Sequence, residues 1–409
     1  MTTDESAVAA LTARDCPLDQ LTLDDLRRRT SVKWRAYPPD VLPLFVAEMD
    51  VPTAPFVADA VRRALDVGDT GYDTGTAYAE ALAPFAARRW GWVPDVPTSR
   101  TLPDVMVAIT EVLRVLTAPG DAVVVTPPVY PPFYAFPRHE GRQVVEAPLA
   151  PDGRLDPGAL EAAFARATGG GSGPGSGRRA VLLLCNPHNP GGVAHTRDEL
   201  EAVLALADRH GVRVVADEIH APFTFERVRP GAPAFVPLLS VAGAERAIAV
   251  HSASKAFNLA GLRAAVAVAG PEAAADLRRI PEVAGHAVNH LAVLAHAGAY
   301  ADGDDWLDAL LAGIVRNREL ATTLLADHAP AVRVQPADAT YLAWLDVRAA
   351  LPDRVPAGDA HRFVVERARV ALGDGVTFGA GGAGWLRLNL ATSPAILTEA
   401  VERLGRALG

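Results

Sequence analysis

Short apolar runs rich in β-branched residues alternate with longer amphipathic segments between about residues 100 and 270 of this 409-residue chain. Such alternation is typical of α/β proteins, in which helices connect the strands of a mainly parallel sheet. The runs are apolar almost throughout, as expected when helices cover both faces of the sheet. We therefore expect a doubly wound sheet with functional loops after its strands. The predicted strands are 122–126, 144–147, 180–184, 212–216, 247–251 and 264–269.

The pattern changes after about residue 289, where predicted helices around 306–326 and 361–371 mix with predicted strands at 341–347 and 385–391. This mixture is typical of a smaller α+β domain, and the chain length fits two or three domains. We expect three parts: an N-terminal arm (1–45) that packs with the small domain, a large domain (46–288) and a small C-terminal domain (289–409). The Gly- and Ser-rich stretch 168–177 predicts a flexible loop.

Charge and composition exclude several functional classes. The formal net charge is −9, which argues against a nucleic-acid surface, and no apolar run approaches the ~18 residues of a membrane span. The first residues show no basic segment followed by an apolar one, so we expect a cytoplasmic protein. Cys16 and Cys185 have neither disulfide nor zinc-ligand spacing, and Cys185 is expected in the core. A small-molecule substrate is the remaining expectation.

Three polar residues follow predicted strands or lie in turns between them. Lys255, in the turn SASKAFNLAG, could point its amine into a cleft and form a Schiff base with an aldehyde cofactor, although an isolated lysine is usually solvated. Asp217 ends a predicted strand and could hold a pyridine nitrogen protonated, or simply cap a helix. Asn189, in the turn NPHNPGG, could donate a hydrogen bond from its amide.

Taken in order, NPHNPGG, VVADEIH and SASKAFNLAGLR resemble the motifs of the fold-type I pyridoxal 5′-phosphate (PLP) enzymes of the class I/II aminotransferase superfamily. The likeness runs from about Phe45 to Asn389. It implies the type I PLP-dependent transferase fold, with a large doubly wound domain containing a mixed, mostly parallel sheet and a smaller α+β domain. It also implies that PLP is the cofactor, that Lys255 is the Schiff-base lysine and that Asp217 is the partner of the pyridinium nitrogen.

The resemblance implies further roles around the cofactor and the substrate. Tyr72 is similar to a catalytic-site tyrosine that reaches the phosphate from a partner subunit, which implies a homodimer. Arg387 is similar to the arginine that grips the substrate carboxylate. An aspartate next to a phosphate is unfavourable, so Asp104 is expected to cap a helix instead. The remaining implied cofactor contacts are the backbone of Val105 and Met106, stacking by Tyr130, the Asn189 amide, Ser252 and Arg263.

Two features resemble the cystathionine β-lyase-like, or MalY/PatB-like, branch of this superfamily. His220 stands three residues after Asp217, where aminotransferases usually have tyrosine, and is expected among the cofactor contacts. The stretch Ala47-Glu48-Met49-Asp50 resembles a branch motif near the substrate, which implies substrate contacts for Met49 and Asp50. The implied activity is cleavage of cystathionine or another L-cysteine S-conjugate to a thiol, pyruvate and ammonia.

Other functions remain open at this point. An aminotransferase acting on an α-amino acid would use the same residues, and a PLP-binding regulatory protein without turnover is a third hypothesis. His286, His290 and His296 lack the His-Glu-x-x-His arrangement of a zinc site, so we expect histidines on a helix surface and no metal. The motifs do not identify the sulfur substituent of the substrate.

Overall fold

The computed structural model describes residues 16–73, 75–169 and 178–409. The predicted loop 168–177 lies almost wholly outside these residues. The described α-helices are Leu23–Arg27, Val32–Arg35, Pro55–Asp66, Ala77–Trp90, Val105–Leu116, Pro132–His139, Pro157–Thr168, Arg197–Arg209, Ala274–Arg278, His290–Asp302, Asp304–His328, Ala360–Ala368 and Pro394–Leu408. The described strands are β1 (Leu42–Pro43), β2 (Ser99–Leu102), β3 (Ala122–Val125), β4 (Gln143–Glu146), β5 (Ala180–Cys185), β6 (Val212–Asp217), β7 (Ile248–His251), β8 (Ala265–Ala269), β9 (Arg333–Val334), β10 (Leu342–Asp346), β11 (Val370–Ala371), β12 (Gly373–Asp374) and β13 (Trp385–Asn389).

A seven-stranded sheet in the order β2-β8-β7-β6-β5-β3-β4 forms the centre of the larger part. Neighbours from β7 to β4 are parallel, whereas β8 is antiparallel to both β7 and β2. The six strands predicted from the apolar runs are all present in this mixed, mostly parallel sheet. The short strand β2 was not predicted, because SRTL has neither an apolar run nor a clear alternation.

Helices cover both faces of this sheet, which explains its nearly continuous apolar strands. Helices Val105–Leu116 and Ala274–Arg278 pack on one face, and Pro157–Thr168 and Arg197–Arg209 pack on the other. In the last of these the apolar residues Leu200, Val203, Leu204 and Ala207 are buried, and Gly211 follows the helix with a φ of +66°. Burial of both faces supplies most of the stabilisation of such a domain.

A four-stranded antiparallel sheet, in the order β12-β13-β10-β9, lies in the C-terminal part. The prediction of a helix through residue 371 was wrong at its end. The helix stops at Ala368, Arg369 has a φ of +55°, and Val370–Ala371 pairs in parallel with Leu42–Pro43. This pairing across the chain overrides the local helical pattern and ties the N-terminal segment to the C-terminal elements.

The division into an arm, a large and a small domain remains a prediction. Helix His290–Asp302, just beyond the predicted boundary, packs on helices Pro55–Asp66 and Ala77–Trp90. Residues of the N-terminal segment, including Leu26 and Leu42, share an apolar cluster with the C-terminal helices. Within the described ranges, no helix combines the length and apolar character needed to cross a bilayer.

Candidate active site

A cavity lies at the carboxyl ends of β5 and β6, where open α/β sheets bind ligands. It is also bordered by residues 252–264, which connect β7 to β8 and which we call the lysine loop. Nine of the residues predicted from the sequence line this cavity. They are Val105, Met106, Tyr130, Asn189, Asp217, His220, Lys255, Arg263 and Arg387.

Asp217 is the last residue of β6 and is buried, with 3% of its surface exposed. Its Oδ1 accepts a hydrogen bond from the backbone N–H of Ile219 at 3.1 Å. The pKa of this carboxyl rises from 3.8 to about 7, mainly because the group is buried and in part because Asp104 is near, while the Ile219 hydrogen bond and the charge of Lys255 oppose the rise. A carboxylate in this position would be stabilised by a cationic N–H placed against it.

The amine of Lys255 points into the cavity and donates a hydrogen bond to the backbone carbonyl of Ala47 at 3.0 Å. Burial lowers the pKa of this amine from 10.5 to about 8, and the positive charge of Arg387 contributes to the fall. An amine with a lowered pKa is a better nucleophile and base near neutral pH than an ordinary lysine.

Only two lysines occur in the sequence, Lys33 and Lys255. Lys33 lies 2.8 Å from the carboxylate of Asp50, and both side chains are fully buried. Trp34 also donates to Asp50 from its indole nitrogen at 3.2 Å. Lys255 is therefore the one lysine whose amine faces the cavity, a conclusion that counting lysines in the sequence would have strengthened.

Asn189 and Arg387 are joined inside the cavity. The Arg387 Nη1 donates to the Asn189 Oδ1 at 3.0 Å, and its Nη2 donates to the carbonyl of Phe45 at 2.9 Å. Within the described part of the chain, the buried Nε–H of Arg387 has no acceptor. Because the Asn189 oxygen faces Arg387, the amide NH₂ is the part of this side chain available to a ligand as a donor.

The helix Val105–Leu116 begins at the cavity, so the positive end of its dipole faces any bound anion. Asp104 caps this helix, as predicted, by accepting a hydrogen bond from the Met106 N–H at 2.8 Å. The Met106 N–H is thus engaged by Asp104 in this structure. The exposed Arg263 lines the same cavity and adds a second source of positive charge.

His220 and Tyr130 complete the polar lining. His220 is buried, and burial together with the charges of Lys255 and Arg387 lowers its pKa to about 3, so the ring is neutral at pH 7. Its Nδ1 has no hydrogen-bond partner among the described residues. Burial and the nearby Asp217 raise the pKa of Tyr130 to about 12, which keeps its hydroxyl protonated.

Four predicted site residues do not line the cavity. Ser252 is buried beside it and donates to the carbonyl of Ala264 at 2.7 Å. Tyr72 has 92% of its surface exposed, and Met49 is fully buried. Asp50 is held in the ion pair with Lys33, so the substrate contact predicted for it receives no support from this geometry.

Residues 45–51 form a segment that we call the strap. Its Val46 and Ala47 line the cavity, and side chains from distant segments hold its backbone. Asn258 donates to the Met49 carbonyl at 3.0 Å and accepts from the Met49 N–H at 2.8 Å. Asn389 donates to the carbonyls of Val46 and Glu48. Tyr341 donates to the Ala47 carbonyl at 3.2 Å. Sequence reasoning missed these contacts, because nothing in their local patterns indicates contacts with a distant loop.

One further prediction was wrong. His296 was expected on a helix surface but is fully buried. Cys185 is buried as predicted, yet it also lines the cavity because it is the last residue of β5. Across residues 16–73, 75–169 and 178–409, no group of three or more His, Cys, Asp or Glu side chains could hold a metal ion.

The sequence profile of the family described as aminotransferase class I and II matches residues 40–404, which is most of the chain. The chain belongs to this family. Its match includes every residue that lines the cavity. The α/β architecture described above is accordingly the type I PLP-dependent transferase fold, as the sequence motifs predicted.

Three relatives within the class I and II family are informative. A Mycobacterium leprae protein named "Putative cystathionine beta-lyase" is 53% identical, and the match covers 96% of this chain and 98% of that protein. A Corynebacterium glutamicum protein named "Cystathionine beta-lyase" is 32% identical, with 94% and 99% covered. A solved structure from Corynebacterium diphtheriae, described as a "putative plp-dependent beta-cystathionase", has a TM-score of 0.86, 31% identity and coverage of 96% and 99%.

Proposed function

We propose that the chain is a PLP-dependent carbon–sulfur β-lyase that cleaves cystathionine or another L-cysteine S-conjugate to a thiol, pyruvate and ammonia. The observation that carries the proposal is the position of Lys255. It is the only lysine that faces the cavity, it has a lowered pKa, and it shares that cavity with Asp217, Asn189 and Arg387. The names of the relatives with 53% and 32% identity agree with this activity.

The residues of the cavity fit PLP. The buried Asp217 carboxylate suits the pyridine N–H, the Asn189 amide suits the ring oxygen, and Tyr130 suits a stacking position. The helix start at Val105, together with Arg263 and the neighbouring Ser252, would hold the phosphate. Met106 would contribute its N–H only if Asp104 released it. His220, neutral and short of a hydrogen-bond partner, would lie beside the cofactor.

In the reaction, bound PLP supplies an electron-withdrawing ring that stabilises negative charge at the substrate Cα. Arg387 would hold the substrate carboxylate with its guanidinium and so orient the Cα–H bond towards Lys255. The neutral amine of Lys255 would then take the Cα proton at its Nζ. The negative charge of Asp217 would hold the proton on the pyridine nitrogen of the cofactor. The same Lys255 Nζ could return that proton to the departing sulfur.

We further propose that the enzyme is a homodimer in which Tyr72 reaches the site of the partner subunit. The support is that a large aromatic side chain is almost fully exposed in the single chain. Single exposed apolar residues are common, but neighbouring Val67 is also 80% exposed and Leu65 is 53% exposed. A cytoplasmic location remains a prediction.

The activity is tested by incubating the purified holoenzyme with cystathionine and measuring thiol and pyruvate. The proposal expects both products in equal amounts without any 2-oxo acid being added. The proposal fails if no thiol appears while an added 2-oxo acid is converted to its amino acid, since that result identifies an aminotransferase. Absence of both reactions in a PLP-loaded protein would instead favour a protein without turnover.

A further inference from the structure

The lysine loop, residues 252–264, contains neither a helix nor a strand. Regular backbone pairing therefore cannot fix the position of Lys255, and the loop depends on individual hydrogen bonds. Some of these lie within the loop, such as the bond from Ser252 to Ala264. Other hydrogen bonds to the loop come from two helices outside the sheet, and the residues that form them have no role in the proposed chemistry.

The first of these contacts comes from Tyr78, the second residue of helix Ala77–Trp90. Its hydroxyl oxygen accepts a hydrogen bond from the backbone N–H of Ala253 at 2.8 Å. Tyr78 is fully buried, and its ring stacks on Tyr300 at a centroid distance of 5.7 Å. The packing of this ring fixes the position of the hydroxyl, which in turn holds the backbone of Ala253, two residues before Lys255.

The second contact comes from His296 on helix His290–Asp302, which is also fully buried. Its Nε2 lies 2.7 Å from the carbonyl of Leu262, and its Nδ1 lies 2.7 Å from the Tyr78 hydroxyl. A carbonyl can only accept, so Nε2 carries the proton. Burial lowers the pKa of His296 to about 4, so the ring is neutral and Nδ1 accepts from Tyr78.

The donors and acceptors are consistent along this chain of three hydrogen bonds, which we call the relay. Ala253 donates to Tyr78, Tyr78 donates to His296, and His296 donates to Leu262. Each end of the relay is a backbone group of the lysine loop. One end lies two residues before Lys255, and the other immediately precedes Arg263. The relay therefore spans the loop and fixes the separation of these two side chains.

We infer that Tyr78 and His296 are positioning residues, whose buried relay holds Lys255 and Arg263 at the places where the cofactor needs them. This inference rests on the proposed function and adds two residues to its site. Neither residue lines the cavity, so both act through the loop rather than on the cofactor or the substrate. Their loss should loosen the loop and weaken PLP binding more than it perturbs the rest of the fold.

The test measures the dissociation constant of PLP by equilibrium dialysis of the holoenzyme, with the visible absorption of the lysine-bound cofactor as a second readout. Tyr78→Phe and His296→Leu each leave buried polar groups unpaired, so each should raise the dissociation constant about tenfold. His296→Gln keeps one acceptor and one donor and should remain within about threefold of the native protein. The double variant Tyr78→Phe/His296→Leu should be no worse than the weaker-binding single variant, because both changes break one relay.

Tyr134→Phe provides the matched control. Tyr134 is buried and donates to Glu146 at 2.8 Å, but it lies on helix Pro132–His139, and among the described residues its side chain forms no hydrogen bond with the lysine loop. Its loss should leave the dissociation constant of PLP unchanged, while circular dichroism checks that each variant is folded. The inference is overturned if folded Tyr78→Phe and His296→Leu bind PLP as tightly as the native protein. It is also overturned if the two losses multiply in the double variant, or if Tyr134→Phe has an equal effect.

Failure of the relay and failure of the proposed function give different results. If the native protein carries no PLP on Lys255, the proposed function is wrong. If the native protein carries PLP on Lys255 and the relay variants retain it equally well, only the positioning role of Tyr78 and His296 is wrong.

Discussion

The ammonium of Lys33 lies 2.8 Å from the carboxylate of Asp50, and neither side chain has any exposed surface. Lys33 also donates to the carbonyl of Glu48 at 3.0 Å. The pair anchors the strap at 45–51 to the N-terminal segment. This ion pair also contains Lys33, the only lysine in the sequence other than Lys255.

Lys33→Met is expected to destabilise the protein by about 3–5 kcal/mol, because it leaves the charge of Asp50 buried without its partner. Urea unfolding followed by circular dichroism measures this change. The double variant Lys33→Met/Asp50→Leu removes both charges and should recover most of the loss. Equal destabilisation of the single and double variants would show that the burial of an unpaired charge is not the cause.

Asp217→Asn is expected to lower kcat/KM by about 100-fold or more, since it removes a buried charge aligned with the cofactor. Steady-state thiol release measures the effect. Asp208→Asn is a suitable control, because the Asp208 side chain is 77% exposed and lies away from the cavity. Native kcat/KM in Asp217→Asn would exclude the proposed pairing.

Arg387→Lys is expected to raise KM about 10- to 100-fold, with a smaller change in kcat, because an ammonium cannot reproduce the two-pronged grip of a guanidinium on a carboxylate. The matched substitution Arg362→Lys affects a side chain that is 68% exposed and should leave both constants unchanged. An unchanged KM in Arg387→Lys would remove the substrate carboxylate from this position.

The pH dependence of cofactor incorporation follows from the lowered pKa of Lys255. Only the neutral amine attacks an aldehyde, so the rate at which the apoenzyme takes up PLP should rise with pH and level off above about 8. Arg387→Gln should move this midpoint upward, because the charge of Arg387 contributes to the lowered pKa. A native midpoint near the ordinary lysine value of 10.5 would contradict the electrostatic description of the cavity.

His296 makes a separate contribution to acid stability. Its pKa is about 4 in the fold and 6.5 when unperturbed, so the unfolded chain binds the extra proton first. The stabilisation is complete above pH 6.5 and is lost as the pH falls towards 4. Between pH 7.5 and 5, the native protein should lose about 2 kcal/mol more stability than His296→Gln, measured by urea unfolding. Parallel curves for the two proteins would show that His296 does not titrate in this way.

The sequence predicted the elements whose pattern is local. The apolar strands β3 to β8 and the strand-end position of Asp217 follow from runs and turns that can be read along the chain. The motif resemblance also predicted that Lys255, Asn189 and Arg387 lie in one site, and all three line the cavity. The residues of strand β11 were predicted as helix, because the pairing of β11 with β1 depends on a segment more than 300 residues away.

The same limit applies around the site. His296 was wrongly predicted as a surface histidine, and the substrate contact that the motif resemblance implied for Asp50 stays a prediction. Their partners, Lys33, Tyr78 and Leu262, come from other segments, so only the folded chain identifies what they do. The sequence shows that only two lysines are candidates for a Schiff base, and the folded chain then leaves Lys255, because Lys33 is buried in an ion pair.

The role of Lys255 is tested most directly by reducing the holoenzyme with borohydride, which fixes PLP to the lysine that holds it, and mapping the modified peptide by mass spectrometry. With only Lys33 and Lys255 available, we expect modification on the peptide that contains Lys255, and loss of both the label and thiol release in Lys255→Ala. A label on Lys33, or native thiol release by Lys255→Ala, would contradict this role.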